Sequence, residues 1–145
     1  MSSAPHPFRI ADFRTYLFAR FIMSMATLSM VVVIGWQVYD IARTDYGMDP
    51  KTAAFQLGLI GLCQFLPQLL LTPVSGWTAD RFERRTVAII ANSIDIGVAL
   101  MLGAFTASDA LNLPILFMLA AAHGVARLFA GPAMSSIPPN IVPPA

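Results

Sequence analysis

The chain has 145 residues, of which 57% are hydrophobic and only 12% are charged, and its formal net charge is +1. A water-soluble domain carries about 25% charged residues, so this composition argues against a soluble globular protein. The near-neutral charge gives no indication of nucleic-acid binding, and the single cysteine, Cys63, excludes an internal disulfide.

Long apolar segments separated by short polar stretches predict four membrane-spanning helices. A helix needs about 20 apolar residues to cross a hydrocarbon core about 30 Å thick, and four segments of the chain are long enough. The predicted fold class is therefore an all-α membrane protein with a short lead, four transmembrane helices within 14–137, and a proline-rich tail. The predicted limits are 1–13 for the lead, about 14–40, 50–78, 81–107 and 113–136 for the helices, and 138–145 for the tail.

Local signals mark the ends of these helices. Asp49–Pro50 predicts the start of helix 2, because Asp is a good N-cap and Pro suits the first helical position. Pro67 predicts a kink inside that helix. Asp80 and Glu83 have the spacing of a capping box, which predicts the start of helix 3. Asn112–Pro114 predicts the start of helix 4.

The distribution of lysine and arginine predicts the orientation in the membrane, since these residues favour the cytoplasmic side. Six of them flank the start of helix 1 or lie in the loop between helices 2 and 3, whereas two lie in the loop between helices 1 and 2. The N-terminus and the 2–3 loop are therefore predicted to be cytoplasmic. The six are Arg9, Arg14, Arg20, Arg81, Arg84 and Arg85, and the two are Arg43 and Lys51.

Three polar residues lie deep in the predicted helices. Asp95 lies about 15 Å into helix 3, and Arg127 lies at a similar depth on helix 4. An unpaired charge there costs about 2.5–3.5 kcal/mol, so two interpretations are open: an Asp95–Arg127 ion pair that ties the helices together, or a functional role. His123 lies one turn before Arg127 on the same face. It could act as a proton relay or be a neutral, hydrogen-bonded residue of the bundle.

Weaker polar signals lie on helices 1, 2 and 3. Gln64 and Gln68, four residues apart beside Pro67, could line a polar pathway or form hydrogen bonds between helices. The same two alternatives apply to a small group near the middle of the membrane. This group is Ser24, Thr27 and Asn92. Arg20 is interpreted as an anchor at the inner interface.

The loop between helices 2 and 3 carries a motif of the form G-x-x-x-D-R-x-x-R-R. This spacing resembles the signature loop of major facilitator superfamily transporters. The residues on the motif positions are Gly76, Asp80, Arg81, Arg84 and Arg85. Thr78 and Glu83 depart from the usual pattern, and the Glu form is common in the branch that includes the enterobactin exporter and drug efflux proteins. The resemblance implies a gate at this loop, whereas a helix cap and topology signal is the simpler interpretation.

A second resemblance lies near the end of helix 4. Arg127 and Gly131 have the R-x-x-x-G spacing of a family motif associated with proton coupling in exporters. The likeness extends from about Phe8 to Pro143. It implies proton-coupled efflux of a small molecule, such as a siderophore or a drug, across the bacterial inner membrane. It implies no enzyme activity, no cofactor and no metal site, and no nucleotide-binding loop is present that would support ATP-driven transport.

Transporters of this superfamily have twelve helices in two halves around a central cavity, and this sequence supplies four. We therefore expect the chain to be a fragment whose partners are membrane lipid, a small-molecule substrate, protons, and the missing helices or a second chain. The alternative is a membrane interaction protein that transports nothing, or one part of a split transporter. In either case the small residues Ala120, Gly124 and Gly131 predict close packing of helix 4.

Overall fold

The structure is a computed structural model that describes residues 11–135, with side chains for all of them except residues 11, 12, 79, 84 and 131–135. This part of the chain forms four α-helices and no strand. They are α1 (Ala11–Thr44), α2 (Pro50–Arg81), α3 (Arg84–Ala107) and α4 (Leu113–Ser135). All four are long and apolar enough to cross a membrane, which confirms the predicted all-α membrane fold. The predicted tail lies outside the described residues.

Helices α1 and α2 both end later in the sequence than predicted. Helix α1 continues to Thr44, so Asp40 and Arg43 belong to the helix and not to a loop. Its 34 residues correspond to about 50 Å, well beyond a hydrocarbon core about 30 Å thick. The helix can continue outside the membrane because its last turns carry polar side chains that tolerate water. Helix α2 likewise extends three residues past its predicted end.

The predicted starts of α2 and α4 are confirmed. The Asp49 carboxylate accepts hydrogen bonds from the backbone N–H groups of Lys51 and Thr52, at 3.0 and 3.3 Å. The hydrogen bond donated by the Thr52 hydroxyl is the largest cause of a lowered pKa at Asp49, and the two backbone bonds add to it. At α4, Asn112 Oδ1 accepts from the backbone N–H of Ile115 at 3.0 Å.

The predicted capping box at α3 is wrong. Asp80 lies in the last turn of α2, and the N-cap of α3 is Glu83, whose side chain caps no backbone N–H. Helix α2 continues past Asp80 because the N–H of Phe82 still reaches the carbonyl of Thr78, at 3.0 Å. The Glu83 carboxylate instead accepts a hydrogen bond from the Thr86 hydroxyl at 3.3 Å. The two helices are therefore joined by only Phe82 and Glu83.

Helix α4 organises the bundle, because it packs against both α2 and α3, while α1 packs mainly on α2. The fully buried side chains Ile34, Val38 and Leu116 form the centre of the core. At Gly124, an added Cβ would lie 3.1 Å from the Cα of Gln64 and closer still to the Gln64 carbonyl oxygen. The close packing predicted for Ala120 and Gly124 is confirmed; the surroundings of Gly131 lie outside the description.

Candidate functional site

A buried acid–base pair joins α3 to α4 in the middle of the bundle. The Nδ1 atom of His123 lies 2.5 Å from Oδ1 of Asp95. The His123 side chain is completely buried, whereas that of Asp95 is 27% exposed. The partner of Asp95 is thus His123 and not Arg127, which corrects the ion pair considered from the sequence. Arg127 lies one helical turn further along α4, about 6 Å away along the axis.

The second ring nitrogen of His123 has no partner. Nε2 is buried and forms no hydrogen bond with any of the residues that the structure describes. Neutral imidazole carries its hydrogen on one nitrogen and a lone pair on the other. If the hydrogen is on Nδ1 and is donated to the Asp95 carboxylate, the buried Nε2 carries only a lone pair. The structure thus contains the hydrogen-bonded histidine that one interpretation expected, and a relay role for His123 stays a prediction.

Asp95 also lies where two cavities meet. The smaller cavity, of about 380 Å³, is bounded by α1, α3 and α4 and is lined by Arg20 and Arg127 as well as Asp95. The larger cavity, of about 640 Å³, lies between α1 and α3 and extends to Gln37 and Thr106. Asn92 and Thr27 line both cavities beside Asp95; these, with Ser24 in the smaller one, are polar residues singled out from the sequence.

Two arginines from different helices face the smaller cavity. Arg127, on α4, is exposed, and Arg20, on α1, donates a hydrogen bond from Nη1 to the Tyr16 hydroxyl at 2.9 Å. Arg20 was interpreted from the sequence only as an interfacial anchor. Its place on the cavity gives this end of the bundle a second cation near Asp95.

Sequence reasoning missed a polar contact between α1 and α3. Gln37 Nε2 donates a hydrogen bond to Thr106 Oγ1 at 2.7 Å, and Gln37 Oε1 is buried without a partner among the described residues. The signal in the sequence was an amide side chain directly after the apolar run 30–36 of helix 1. Both residues line the larger cavity.

Gln64 and Gln68 do not join this group. Neither lines the two cavities, and within residues 11–135 neither side chain forms a hydrogen bond. The backbone of Gln64 faces Gly124, and the Gln68 carbonyl accepts a hydrogen bond from the Thr72 hydroxyl at 2.6 Å. In this structure, therefore, the Gln64 backbone contacts α4 and the Gln68 backbone accepts a hydrogen bond within α2, and a place on a polar pathway stays a prediction.

The residues of the G-x-x-x-D-R-x-x-R-R motif lie at one end of the bundle, in the last turns of α2 and the first turn of α3. Gly76 is exposed, and a Cβ added there would meet nothing within 4 Å. The Arg81 guanidinium lies 5.4 Å from the centre of the Trp77 ring, a cation–π contact. Asp80 and Arg85 are exposed, and the side chain of Arg84 lies outside the description. The gate implied by the motif stays a prediction.

These features define a multi-pass membrane protein with a polar, partly charged interior. The sequence model of the transmembrane secretion effector family matches residues 2–145. The chain therefore belongs to this family of major facilitator-type transporters, which confirms the superfamily resemblance. The match does not distinguish an enterobactin or drug branch.

Two curated relatives agree with this assignment. Uncharacterized MFS-type transporters of Mycobacterium bovis and Mycobacterium tuberculosis are each 32% identical to the chain over 99 residues. The aligned part covers 68% of this chain but 21% of each relative, so the chain spans about a fifth of the length of the curated relatives it matches. No solved structure matches the chain.

Proposed function

We propose that the chain forms the first four helices of a carrier that exports a small amphipathic molecule across the bacterial inner membrane in exchange for protons. The transporter part is supported by membership of the family. The cargo and the coupling are supported chiefly by the cavity in which Arg20, Asp95 and Arg127 meet. Both cavities fall in the range of about 300–1,000 Å³ that is usual for small-molecule sites. A siderophore such as enterobactin and a drug are the two cargo classes.

Arg127 carries the coupling role in this proposal. Its R-x-x-x-G spacing with Gly131 resembles the family motif for proton coupling, and its side chain lines a cavity beside an acid. Charged groups inside a membrane mark substrate or ion pathways more often than structural sites, because they are costly to keep there. The position of Arg127 on the cavity agrees with that role.

In the same proposal, the motif residues at the junction of α2 and α3 form a gate. Gly76 presents a surface without a side chain, onto which a facing helix could pack closely. Asp80, Arg81, Arg84 and Arg85 would then contact that helix in one state of the carrier and release it in the other. With α2 and α3 joined by only two residues, a movement of either helix would be transmitted directly to these charges.

Flux through the complete carrier that contains this chain tests the proposal. The carrier is reconstituted into vesicles under an imposed proton gradient, with a catecholate siderophore or a fluorescent cationic drug as cargo. We expect gradient-driven flux of one cargo, lost in Arg127→Ala and weakened in Arg127→Lys. The matched control is Lys51→Gln, which removes an exposed cation away from both cavities and should transport normally. Flux that is independent of the gradient would contradict the proton coupling.

The alternative is a chain that binds other helices without transporting anything. It is supported by large apolar side chains that are exposed on all four helices that the structure describes. Examples are Phe18 on α1, Leu70 on α2 and Leu100 on α3. Flux from the 145-residue chain alone would contradict this alternative. Absence of flux from the chain alone, restored when the remaining helices are co-expressed as a separate polypeptide, would support a split transporter.

A further inference from the structure

We propose that Asp95 is the proton-binding residue of this four-helix unit, that His123 is a neutral positioning residue for it, and that Asp95 exchanges its proton with water in the two cavities that it lines. This inference deepens the proposed proton-coupled transport and rests on it for its biological role. It assigns the proton to a residue outside the two family motifs. The partner of this residue, His123, lies one helical turn before Arg127 on α4.

The geometry of the pair decides which partner takes the proton. If His123 became imidazolium, its Nε2–H would be a charged donor, buried and without any partner among the described residues. A buried charged donor without a partner carries the full desolvation penalty of the charged group. Asp95 has the opposite surroundings, because Oδ1 is held by His123 while the side chain remains 27% exposed to the cavities. The proton is therefore bound by the free carboxylate oxygen, Oδ2.

The proton step needs no further reactant. A hydronium ion in either cavity transfers one proton to Oδ2 of Asp95 and leaves as water, and release is the reverse transfer to water. His123 keeps its hydrogen on Nδ1 throughout and donates it to Oδ1. It thereby fixes the carboxyl group where the cavities meet.

The two cavities together extend along much of the length of α1. On α1, the smaller cavity begins at Arg20 and the larger reaches Gln37. These residues are separated by about 26 Å along the helix, close to the hydrocarbon thickness of about 30 Å. Asp95 lines both cavities, so a proton bound there can be exchanged with either one.

Among the residues that the structure describes, the other charged side chains that share a cavity with Asp95 are Arg20 from α1 and Arg127 from α4, both in the smaller one. The described lining of the larger cavity has no charged side chain besides Asp95. On α2, Cys63 is the titratable side chain that contacts α4, through the carbonyl of Phe117 at 3.5 Å. Proton binding therefore changes the lining of the smaller cavity from two cations and one anion to two cations alone.

Infrared and NMR spectroscopy of the 145-residue chain in lipid nanodiscs test this assignment without any transport measurement. All eight Asp and Glu side chains give carboxylic C=O absorption on acidification, so the test is the difference between the unchanged chain and a variant. We expect Asp95→Asn to remove a band that Asp109→Asn, a matched loop variant, leaves in place. With labelled histidine in a His6→Gln background, His123 should carry hydrogen on Nδ1 and none on Nε2 at every pH. Carboxylic C=O spectra that are the same in Asp95→Asn as in the unchanged chain, or protonation of Nε2 on acidification, would overturn the proposal.

Two substitutions at His123 separate positioning from proton binding. Asn can present an N–H close to the position of Nδ1, so His123→Asn should keep the Asp95 band and its pH response. His123→Leu removes the donor and should change both, while circular dichroism checks that the helices remain. Equal spectra for the two variants would contradict the positioning role. Failure of these spectra and failure of vesicle flux are independent results, so the site and the transport proposal are tested separately.

Discussion

The close contact between α2 and α4 predicts that Gly124→Ala destabilises the bundle. The added methyl would lie 3.1 Å from Cα of Gln64 and within contact distance of its carbonyl oxygen. Because these are backbone atoms, no rotamer change relieves the clash, and the helices must separate. A gap of about 0.5–1 Å loses a quarter to a half of each facing dispersion contact, and overpacking of this kind costs about 1–3 kcal/mol.

A second effect works in the opposite direction. Alanine is better than glycine in a helix interior by about 1 kcal/mol, so we expect a net loss of about 0–2 kcal/mol in the free energy of unfolding. Reversible unfolding with dodecyl sulfate in mixed micelles, followed by circular dichroism, measures it. The matched control is Gly97→Ala on α3, where an added Cβ meets nothing within 4 Å and only the propensity gain applies. If Gly124→Ala were as stable as Gly97→Ala, the close approach of α2 and α4 would be refuted.

Three further predictions use the same bundle. Leu116→Ala empties a fully buried position and should lower the free energy of unfolding by about 2–5 kcal/mol, nearer the lower limit because lipid is itself apolar; Leu100→Ala, at a 69% exposed position, should cost far less in the same assay. Asp49 has a lowered pKa in the folded state. Its contribution to the free energy of unfolding is therefore present above the unfolded pKa and is lost as the pH falls through the folded pKa. The free energies of unfolding measured at pH 6 and pH 3 should differ less in Asp49→Asn than in the unchanged chain. Proton loading of Asp95 should weaken binding of a cationic amphipath and strengthen binding of an anionic one, measured by ligand titration at two pH values against Asp95→Asn, where the dependence disappears.

The parts of the fold that could be predicted are those encoded by adjacent residues. The starts of α2 and α4 depend on side chains that bond to N–H groups two or three positions away, and both Asp49 and Asn112 do so. The α2–α3 junction was placed wrongly because Asp80 and Glu83 have the capping-box spacing although they form no capping box. The choice was made instead by the backbone bond from Phe82 to Thr78, which prolongs α2.

The site could be predicted in its members but not in its pairing. Asp95, His123 and Arg127 were identifiable because charge and polarity deep in an apolar helix are costly. Which of the two α4 residues meets Asp95 depends on the vertical register of α3 against α4. That register shifts by about 5.4 Å for each helical turn, less than the uncertainty of depths counted from predicted helix ends. It is set by the packing of α3 against α4 along both helices, which no local sequence pattern encodes.

The charge balance around Asp95 bears on which cargo could be exchanged for protons. An exchange carrier requires cargo and proton to bind in alternation, so the cargo must prefer the state in which Asp95 is ionised. A cargo charge about 8 Å from the carboxylate interacts with it by about 2 kcal/mol at an effective dielectric constant near 20, and linkage requires the same effect on proton binding. A cation is therefore displaced by protons, whereas an anion between Arg20 and Arg127 is retained by them. In the proposed proton exchange through Asp95, this charge balance therefore favours a cationic cargo over an anionic one.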